Sequence, residues 1–494
     1  MIEMKSLIEM NPNSTSIQRN EVVQSLINEL EKVYNNPRTE LEVSKAFNID
    51  NVKADVQAFS LNQANDIKAV MLHTIEGIKK HGVQVTHPSY LGLFNPRPNF
   101  PSVMADVINS YLNPQLAAWS HAPYAVEIER LVIKEFCQKF GYPEGHQDGT
   151  FCTGGAESNL TAVLCALRKS FPDISENGIA SVDKLPTIYC SSESHHSIEK
   201  AAKIVGLGKR SVIKIPVNED LTMDVNALRR RIELDRKNNL KPFLVVGTAG
   251  TTGAGAVDDL LEISCICKEA GLWFHVDAAY GGGAIITEYK DLMEGIEYSD
   301  SITLDMHKFF SVPMATSVFL TSDTTILHQT FGVHTAYMPQ DGDPNEVIDP
   351  YVHSMQWSRR FIGLKIYLPL AVFGWEGYSK ILTHQFEMGN TARKLLKAKG
   401  WTIENQSQFP IICFTHPDIA GDDKLVQDIV DHLNLSGKTW MSSYPIDGRL
   451  TLRIQIANYE TQVEDLVEFV VALSDILNEK LLALKSNVNC SQQI

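Results

Sequence analysis

The chain has 494 residues, with 44 Lys and Arg against 59 Asp and Glu, which gives a formal net charge of −15. This acidic balance argues against a nucleic-acid-binding protein, which would carry a basic surface, and against docking on anionic lipid. The length predicts two or three domains, or one large α/β domain with additions.

The cysteines and the N-terminal residues both predict where in the cell the protein is found. The first residues lack the apolar stretch after a basic cluster that is typical of a secretory signal, and no apolar run approaches the length of a membrane span. The eight cysteines are scattered and form no Cys-x-x-Cys pair. We therefore expect a cytoplasmic protein whose thiols are reduced.

Three regions differ in their sequence pattern. Residues 1–85 repeat apolar positions at helical spacing and predict a helical arm that packs on another surface. Residues 86–375 predict a large α/β domain, and residues 376–494 predict a small α+β domain. Within the large domain, the Pro-, Asn- and aromatic-rich residues 86–125 predict loops.

Between residues 124 and 321, short apolar runs alternate with helical stretches, which predicts βαβ units and a mostly parallel sheet. The predicted strands are 150–153, 187–191, 211–215, 243–248, 273–277, 301–305 and 316–320. The predicted helices are 157–169, 197–205, 224–237 and 258–270, followed after a long polar loop by 361–373 and 378–398.

Two of these strands end at or just before residues that can bind a ligand or take part in catalysis. One ends at Asp277 (HVDAAYGGG), and ligands bind at the carboxyl ends of parallel strands; a turn or capping Asp is the alternative. The next strand delivers His307 and Lys308 (LDMHKFF) to the same edge. Such a lysine is either a solvated loop residue or, when desolvated, a nucleophile that forms a Schiff base.

Two further segments begin helices. Backbone amides near Gly155 and Ala156 (TGGAESN) suit a phosphate, although an ordinary capped helix has the same pattern. His195 and His196 precede another helix as capping or core histidines. With Glu199 they could also bind a metal, but the spacing matches no metal motif, so we predict no metal site.

Taken together, the four segments favour one cofactor. Pyridoxal phosphate requires a phosphate cradle, a flat side chain against its ring, a carboxylate for its ring nitrogen and a lysine for its aldehyde. An ionised Asp277 would keep the pyridine nitrogen protonated, because it stabilises the charged form.

The sequence resembles the group II pyridoxal-phosphate amino-acid decarboxylases, which include aromatic-amino-acid, glutamate, histidine and diaminobutyrate decarboxylases. The matching stretches span about residues 87–367 in the family's order and include HPSYLGLFNP, TGGAESNLTAVLCALR, HHSIEKAAKIVGLG, HVDAAYGGG and DMHKFF. The resemblance implies a fold-type I α/β enzyme with a mostly parallel seven-stranded sheet. It also implies a homodimer in which the N-terminal arms wrap the partner and the active sites lie at the interface.

The resemblance implies catalytic roles for four residues. Lys308 would bind the cofactor aldehyde covalently, and His195 would stack on the cofactor ring. His307 would lie near the substrate. Tyr337, in the polar loop, would donate a proton to the substrate α-carbon.

Five residues are implied as further cofactor contacts. Asp277 would pair with the pyridine nitrogen, and Ala279 would pack beneath the ring. Gly155 and Ala156 would bind the phosphate through their backbone. Thr252 would lie near the cofactor and the substrate carboxylate.

Two features depart from the family pattern. The family often has Asn-Pro before the His-Lys pair, where this chain has Asp305 and Met306. An aspartate beside a phosphate would be repulsive, so a phosphate role for Asp305 is not expected. The stretches that carry pocket aromatics in aromatic-specific members are less aromatic here, and Arg97 lies nearby as a partner for an acidic substrate or as a structural arginine.

The implied reaction is decarboxylation of an L-amino acid to its amine and CO2, with the amino acid undetermined. One alternative is another reaction of the same cofactor on this fold, by an aminotransferase or a carbon–carbon or carbon–sulfur lyase. A more remote alternative is a catalytically inactive homologue that acts as a binding scaffold.

Overall fold

The computed structural model describes residues 16–333, 335 and 347–491. Its α-helices are α1 Ser16–Asn35, α2 Pro37–Glu40, α3 Ile49–Val56, α4 Ile67–His81, α5 Phe100–Leu112, α6 Pro123–Lys139, α7 Gly155–Ser170, α8 Ile174–Asn177, α9 Ser197–Ile204, α10 Val225–Lys237, α11 Leu260–Ala270, α12 Ile326–Phe331, α13 Leu364–Ala398, α14 Asp423–Leu435 and α15 Val463–Ser491. Its strands are β1 Asp148–Cys152, β2 Pro186–Ser191, β3 Val212–Ile215, β4 Lys241–Thr248, β5 Trp273–Asp277, β6 Ser301–Asp305, β7 Ser317–Thr321, β8 Thr402–Ile403, β9 Ile411–Thr415, β10 Ser442–Ile446 and β11 Arg449–Gln455.

The central sheet of the described residues has seven strands in the order β1-β7-β6-β5-β4-β2-β3. Strand β7 runs antiparallel to both of its neighbours. Strands β6, β5, β4, β2 and β3 are mutually parallel. The predicted mostly parallel seven-stranded α/β sheet is confirmed, and each observed strand overlaps its predicted range.

The parallel strands form where the sequence can bury both faces of the sheet. Strands β5 and β6 are buried along their whole length, as is β4 after its first residue. Side chains alternate between the two faces. Val245 and Phe274 join the core on one face, whereas Val246 and Trp273 join the core on the other. Helices cover both faces, as is typical of parallel sheets.

The loop expectation for residues 86–125 was wrong at its centre, where helix α5 lies. The Asn99 side chain caps this helix by accepting a hydrogen bond from the Ser102 backbone N–H over 3.0 Å. Pro101 lies in the first turn, where a missing N–H is tolerated. Ser102 and Ala105 are buried at helical spacing, and the helix packs against α13.

The C-terminal part begins within helix α13. Gly374 interrupts this helix with φ of 65°, a backbone angle that favours glycine, and lies between the two helices predicted at 361–373 and 378–398. Beyond it, β8–β11 form a second, antiparallel sheet with α14 and α15 packed nearby. The boundaries of the three predicted domains stay a prediction.

Candidate active site

The carboxyl edge of the parallel strands brings most of the predicted site residues together. Strand β5 ends at Asp277, and β6 ends three residues before Lys308. One cavity at this edge has in its lining the predicted residues Gly155, Ala156, His195, Thr252, Asp277, Ala279 and Lys308. Two larger cavities, of about 340 and 560 Å³, include neither Lys308 nor Asp277 in their lining.

Of the other two predicted residues, the structure describes His307 alone. His307 is buried beside the cavity, with Nδ1 2.8 Å from the carbonyl oxygen of Thr316. Burial lowers the pKa of His307, so its imidazole is neutral near pH 7. Tyr337 lies outside the described residues.

Asp277 is a buried carboxylate that is held by amide donors. Asn159 Nδ2 donates to Asp277 Oδ2 over 2.8 Å, and the Ala279 backbone N–H donates to Oδ1 over 3.2 Å. Among the described residues, no Lys or Arg forms an ion pair with Asp277. A buried charge normally requires a partner, so this carboxylate is suited to a cationic group that enters the cavity.

His195 is oriented from the start of helix α9. Its Nδ1 accepts a hydrogen bond from the Ser197 backbone N–H over 3.2 Å and lies 2.8 Å from Ser197 Oγ. Because Nδ1 accepts, the proton of the neutral ring is on Nε2. Burial is the main cause that lowers the pKa of His195, and the result is an uncharged flat ring at the cavity wall.

Asn159 links Asp277 to His195 through Ser197, and it was not among the site residues predicted from the sequence. Its Nδ2 lies 2.8 Å from Ser197 Oγ as well as from Asp277 Oδ2, and its Oδ1 lies 3.0 Å from His275 Nε2. The available signal was position: Asn159 lies four residues after Gly155, on the same face of helix α7.

Lys308 is paired with Asp305, where the family often has an asparagine. Lys308 Nζ lies 3.0 Å from Asp305 Oδ2, and the ring centroid of Phe94 is 5.4 Å from the same nitrogen. The Asp305 side chain is 3% exposed and that of Lys308 is 20% exposed. This lysine is therefore not the solvated loop residue of the alternative interpretation.

The residues of the predicted phosphate cradle, Gly155 and Ala156, lie in the first turn of helix α7. The first N–H groups of a helix have no intrahelical partner and favour an anion. A Cβ placed on Gly155 would lie 2.8 Å from Asp305 Oδ2, so glycine leaves the cradle open. With Asp277 and Lys308 in the same cavity, the residues present fit pyridoxal phosphate.

The loop that carries Thr252 is fixed by an arginine of strand β11. Arg453 donates to the carbonyl oxygens of Thr252 and Gly253, each over 2.8 Å, and to that of Gly92 over 3.0 Å. Its guanidinium also lies 5.4 Å from the ring centroid of Phe94. The second sheet thus supports the cavity wall.

Arg97 is buried and paired with a carboxylate. It is 3% exposed, and its guanidinium binds the Glu460 carboxylate and the Tyr34 carbonyl oxygen. The same group lies 4.0 Å from the ring centroid of Tyr34. These contacts favour the structural alternative for Arg97 over a substrate contact.

The described residues contain neither a metal-binding cluster nor a membrane-spanning helix. Within residues 16–333, 335 and 347–491, no group of three or more His, Cys, Asp or Glu side chains is placed to hold a metal ion. In the same part of the chain, no helix is both long and apolar enough to cross a membrane.

Comparison with known proteins agrees with this geometry. A family model described as a pyridoxal-dependent decarboxylase conserved domain matches residues 52–416. Aromatic-L-amino-acid decarboxylase of Bacillus atrophaeus is 29% identical over 407 residues, which cover 80% of this chain and 82% of that protein. L-2,4-diaminobutyrate decarboxylase of Acinetobacter baumannii is 32% identical over 387 residues, which cover 74% and 75%.

A solved structure supports the fold. The crystal structure of Oryza sativa TDC with PLP and tryptamine superposes with a TM-score of 0.89 and covers 95% of this chain and 99% of that one. The sequences are 19% identical, so the likeness concerns the fold alone. It agrees with the predicted fold-type I architecture.

Proposed function

The chain belongs to the pyridoxal-dependent decarboxylase family, and from this premise we propose that the cavity lined by Lys308, Asp277 and His195 is its catalytic centre. Family membership makes the chain a carboxy-lyase that uses pyridoxal phosphate to convert an amino acid to its amine and CO2. One observation carries the site assignment: a buried carboxylate, a lysine amine and the open start of a helix face the same cavity.

Lys308 and Asp277 act on two different groups of the cofactor, the aldehyde and the pyridine nitrogen. When bound, pyridoxal phosphate supplies an aldehyde that combines with amines and a pyridine ring that accepts the electron pair left by departing CO2. With the cofactor bound, Lys308 would hold its aldehyde through Nζ, at the position that the substrate amine also uses. Asp277 holds a proton on the pyridine nitrogen, because a nearby carboxylate stabilises the cationic form of a base.

The remaining cavity residues position the cofactor and exclude water. Gly155 and Ala156 bind the phosphate through backbone N–H groups. His195, as a neutral imidazole, and Ala279 line the same cavity and would hold the cofactor ring between them. Thr252, on the loop held by Arg453, lies near the substrate carboxylate.

His307 and Tyr337 complete the proposed catalytic set. His307 lies next to Lys308 and contacts the substrate. Tyr337 donates a proton to the α-carbon after CO2 has left, and its assignment rests on the family resemblance. We expect Tyr337→Phe to form less amine and, through oxidation by dissolved oxygen or transfer of the amino group to the cofactor, more carbonyl product. Chromatography of both products would measure the ratio; an unchanged ratio would contradict the role.

The covalent site is tested by trapping the cofactor. The purified protein is loaded with pyridoxal phosphate, reduced with borohydride, digested and mapped by mass spectrometry. The proposal expects the cofactor mass on the peptide that contains Lys308. Stable labelling of other lysines with none on Lys308 would overturn the assignment.

The substrate is an L-amino acid whose side chain is open. The relatives named above act on aromatic amino acids and on L-2,4-diaminobutyrate, which are the first candidates to assay. Because Arg97 is engaged with Glu460, it offers no free cation to an acidic side chain. The side-chain contacts that select one amino acid can rest on one or two groups.

A cytoplasmic homodimer is the proposed state of the enzyme. The N-terminal helices and the segments between them leave large apolar side chains exposed, including Leu30, Val56, Leu61 and Ile78, as expected for an arm that packs on a partner. The seven described cysteines are free, which is usual in a reducing compartment. Light scattering behind size-exclusion chromatography should give twice the chain mass of 55.1 kDa; the mass of a single chain would contradict the dimer.

A further inference from the structure

Asp305 is placed by the loop that carries the reactive lysine. The Lys308 backbone N–H donates to the Asp305 carbonyl oxygen over 3.2 Å, which folds the residues between them into a turn. This turn brings the Asp305 carboxylate to 3.0 Å from Lys308 Nζ. The backbone turn thus places the two residues close together, and their side chains complete the contact.

The charge of Asp305 has few other partners. Asp305 Oδ1 is buried and has no hydrogen-bond partner in the part of the chain that the structure describes, and Oδ2 lies 3.8 Å from His307 Nε2. Burial lowers the pKa of His307, so this histidine supplies no positive charge near pH 7. Lys308 is thus the cation that balances the Asp305 carboxylate.

The other charged and titratable groups around the Lys308 nitrogen come from neighbouring elements. Asp277, at the end of β5, is engaged with Asn159. His195, at the start of α9, is neutral near pH 7 because burial lowers its pKa. Arg453 lies against the ring of Phe94, which also contacts Lys308 Nζ. Asp305 is the carboxylate in direct contact with this nitrogen.

We propose that Asp305 is the counter-ion of the Lys308 nitrogen and stabilises its positive charge, both as the free ammonium and as the protonated imine that joins Lys308 to the cofactor. This role rests on the proposed function of Lys308. It accounts for an aspartate at the edge of the phosphate cradle: the carboxylate is directed to the lysine, and the pair presents little net charge to the phosphate. A protonated imine is the form that a substrate amine attacks readily, so Asp305 extends this form to higher pH.

The test is a pH titration of the absorbance of the cofactor-loaded enzyme, in which the protonated and neutral imines differ in colour. A carboxylate this close to a base raises its proton affinity by about 10- to 1000-fold. Asp305→Asn should therefore lower the titration midpoint by about 1–3 pH units. Asp305→Glu keeps the charge and should have a midpoint closer to the wild-type value.

Glu157→Gln is the matched control. Glu157 is a carboxylate in the first turn of α7, but it accepts hydrogen bonds from Thr153 and Gln356 rather than from Lys308. This variant should keep the wild-type midpoint. If Asp305→Asn is not recovered folded, Asp305→Ser removes the same charge and is titrated instead.

The outcomes separate the two proposals. A wild-type protein that acquires no imine absorbance would overturn the proposed role of Lys308 itself. A wild-type protein that acquires it, with an unchanged midpoint in the folded Asp305 variants, would overturn the counter-ion role and leave the decarboxylase assignment intact. An equal shift in Glu157→Gln would also overturn it, since the effect would then be one of general charge.

Discussion

Asn159 Nδ2 lies 2.8 Å from Asp277 Oδ2 and also 2.8 Å from Ser197 Oγ, which in turn contacts His195. A single amide on helix α7 thus fixes the carboxylate at the end of β5 and the imidazole at the start of α9. The two groups that would contact the cofactor ring are held in one hydrogen-bonded unit.

Asn159→Ala should weaken retention of pyridoxal phosphate. A hydrogen bond to a charged group contributes about 1.5–3 kcal/mol, so we expect roughly 10- to 100-fold weaker cofactor binding. Fluorescence titration of the cofactor-free protein measures this constant. Asn434→Ala is the control, because Asn434 makes similar bonds to Met441 in the C-terminal part. Equal cofactor affinity in the two variants would contradict the role of Asn159.

Gly155→Ala should close part of the phosphate cradle. The added Cβ would lie 2.8 Å from Asp305 Oδ2, so the Asp305 carboxylate would have to shift, and its contact with Lys308 with it. We expect at least about tenfold weaker cofactor binding, measured by equilibrium dialysis. Gly77→Ala is the matched change in helix α4, where a Cβ meets nothing within 4 Å. It should leave cofactor binding unchanged and stabilise the helix by about 1 kcal/mol.

His275 should make the protein less stable in acid. Burial lowers its pKa from 6.5 to about 4, so folding favours the neutral ring. The stabilisation is complete above pH 6.5 and is lost as the pH falls towards 4, by up to about 3 kcal/mol in the free energy of unfolding. Urea unfolding at several pH values measures this loss.

Asp258 and Asp300 act in the opposite direction, because burial raises the pKa of each to about 6. The histidine effect is therefore isolated as the difference between wild type and His275→Asn. This difference should shrink between pH 6.5 and pH 4. A difference that stays constant over this range would show that His275 does not titrate as expected.

Arg97→Met should affect stability but leave substrate choice unchanged. The variant leaves the Glu460 carboxylate without its cation, which we expect to cost about 2 kcal/mol, a moderate value because Glu460 keeps contact with water. Thermal unfolding measures the loss. A changed ranking of amino acids in the decarboxylation assay would instead place Arg97 at the substrate.

Much of the fold was predictable because the strands are strongly patterned. The short runs of apolar and β-branched residues that end in Asp277 and Asp305 favour buried strands, and the carboxyl ends of parallel strands meet at one edge. Helix α5 was missed because proline and asparagine usually indicate loops; at this helix start, Asn99 acts as a cap and Pro101 lies in the first turn.

The partners within the site were less predictable than its members. Lys308, Asp277 and His195 stood out by residue type and by resemblance. The link through Asn159 and the pairing of Asp305 with Lys308 depend on which side chains meet across separate elements, and sequence spacing alone does not define this. The sequence suggested that Asp305 would repel a phosphate, whereas its nearest charged partner is the lysine.

The most direct test of the whole account is CO2 release by the purified wild-type protein and by Lys308→Ala, each supplied with pyridoxal phosphate and a panel of the common L-amino acids, aromatic amino acids and L-2,4-diaminobutyrate included. We expect the wild type to release CO2 and to form the matching amine from one or a few of these amino acids. Lys308→Ala should release almost no CO2. Equal turnover by Lys308→Ala, or no CO2 from any amino acid by a cofactor-loaded wild type, would contradict the account.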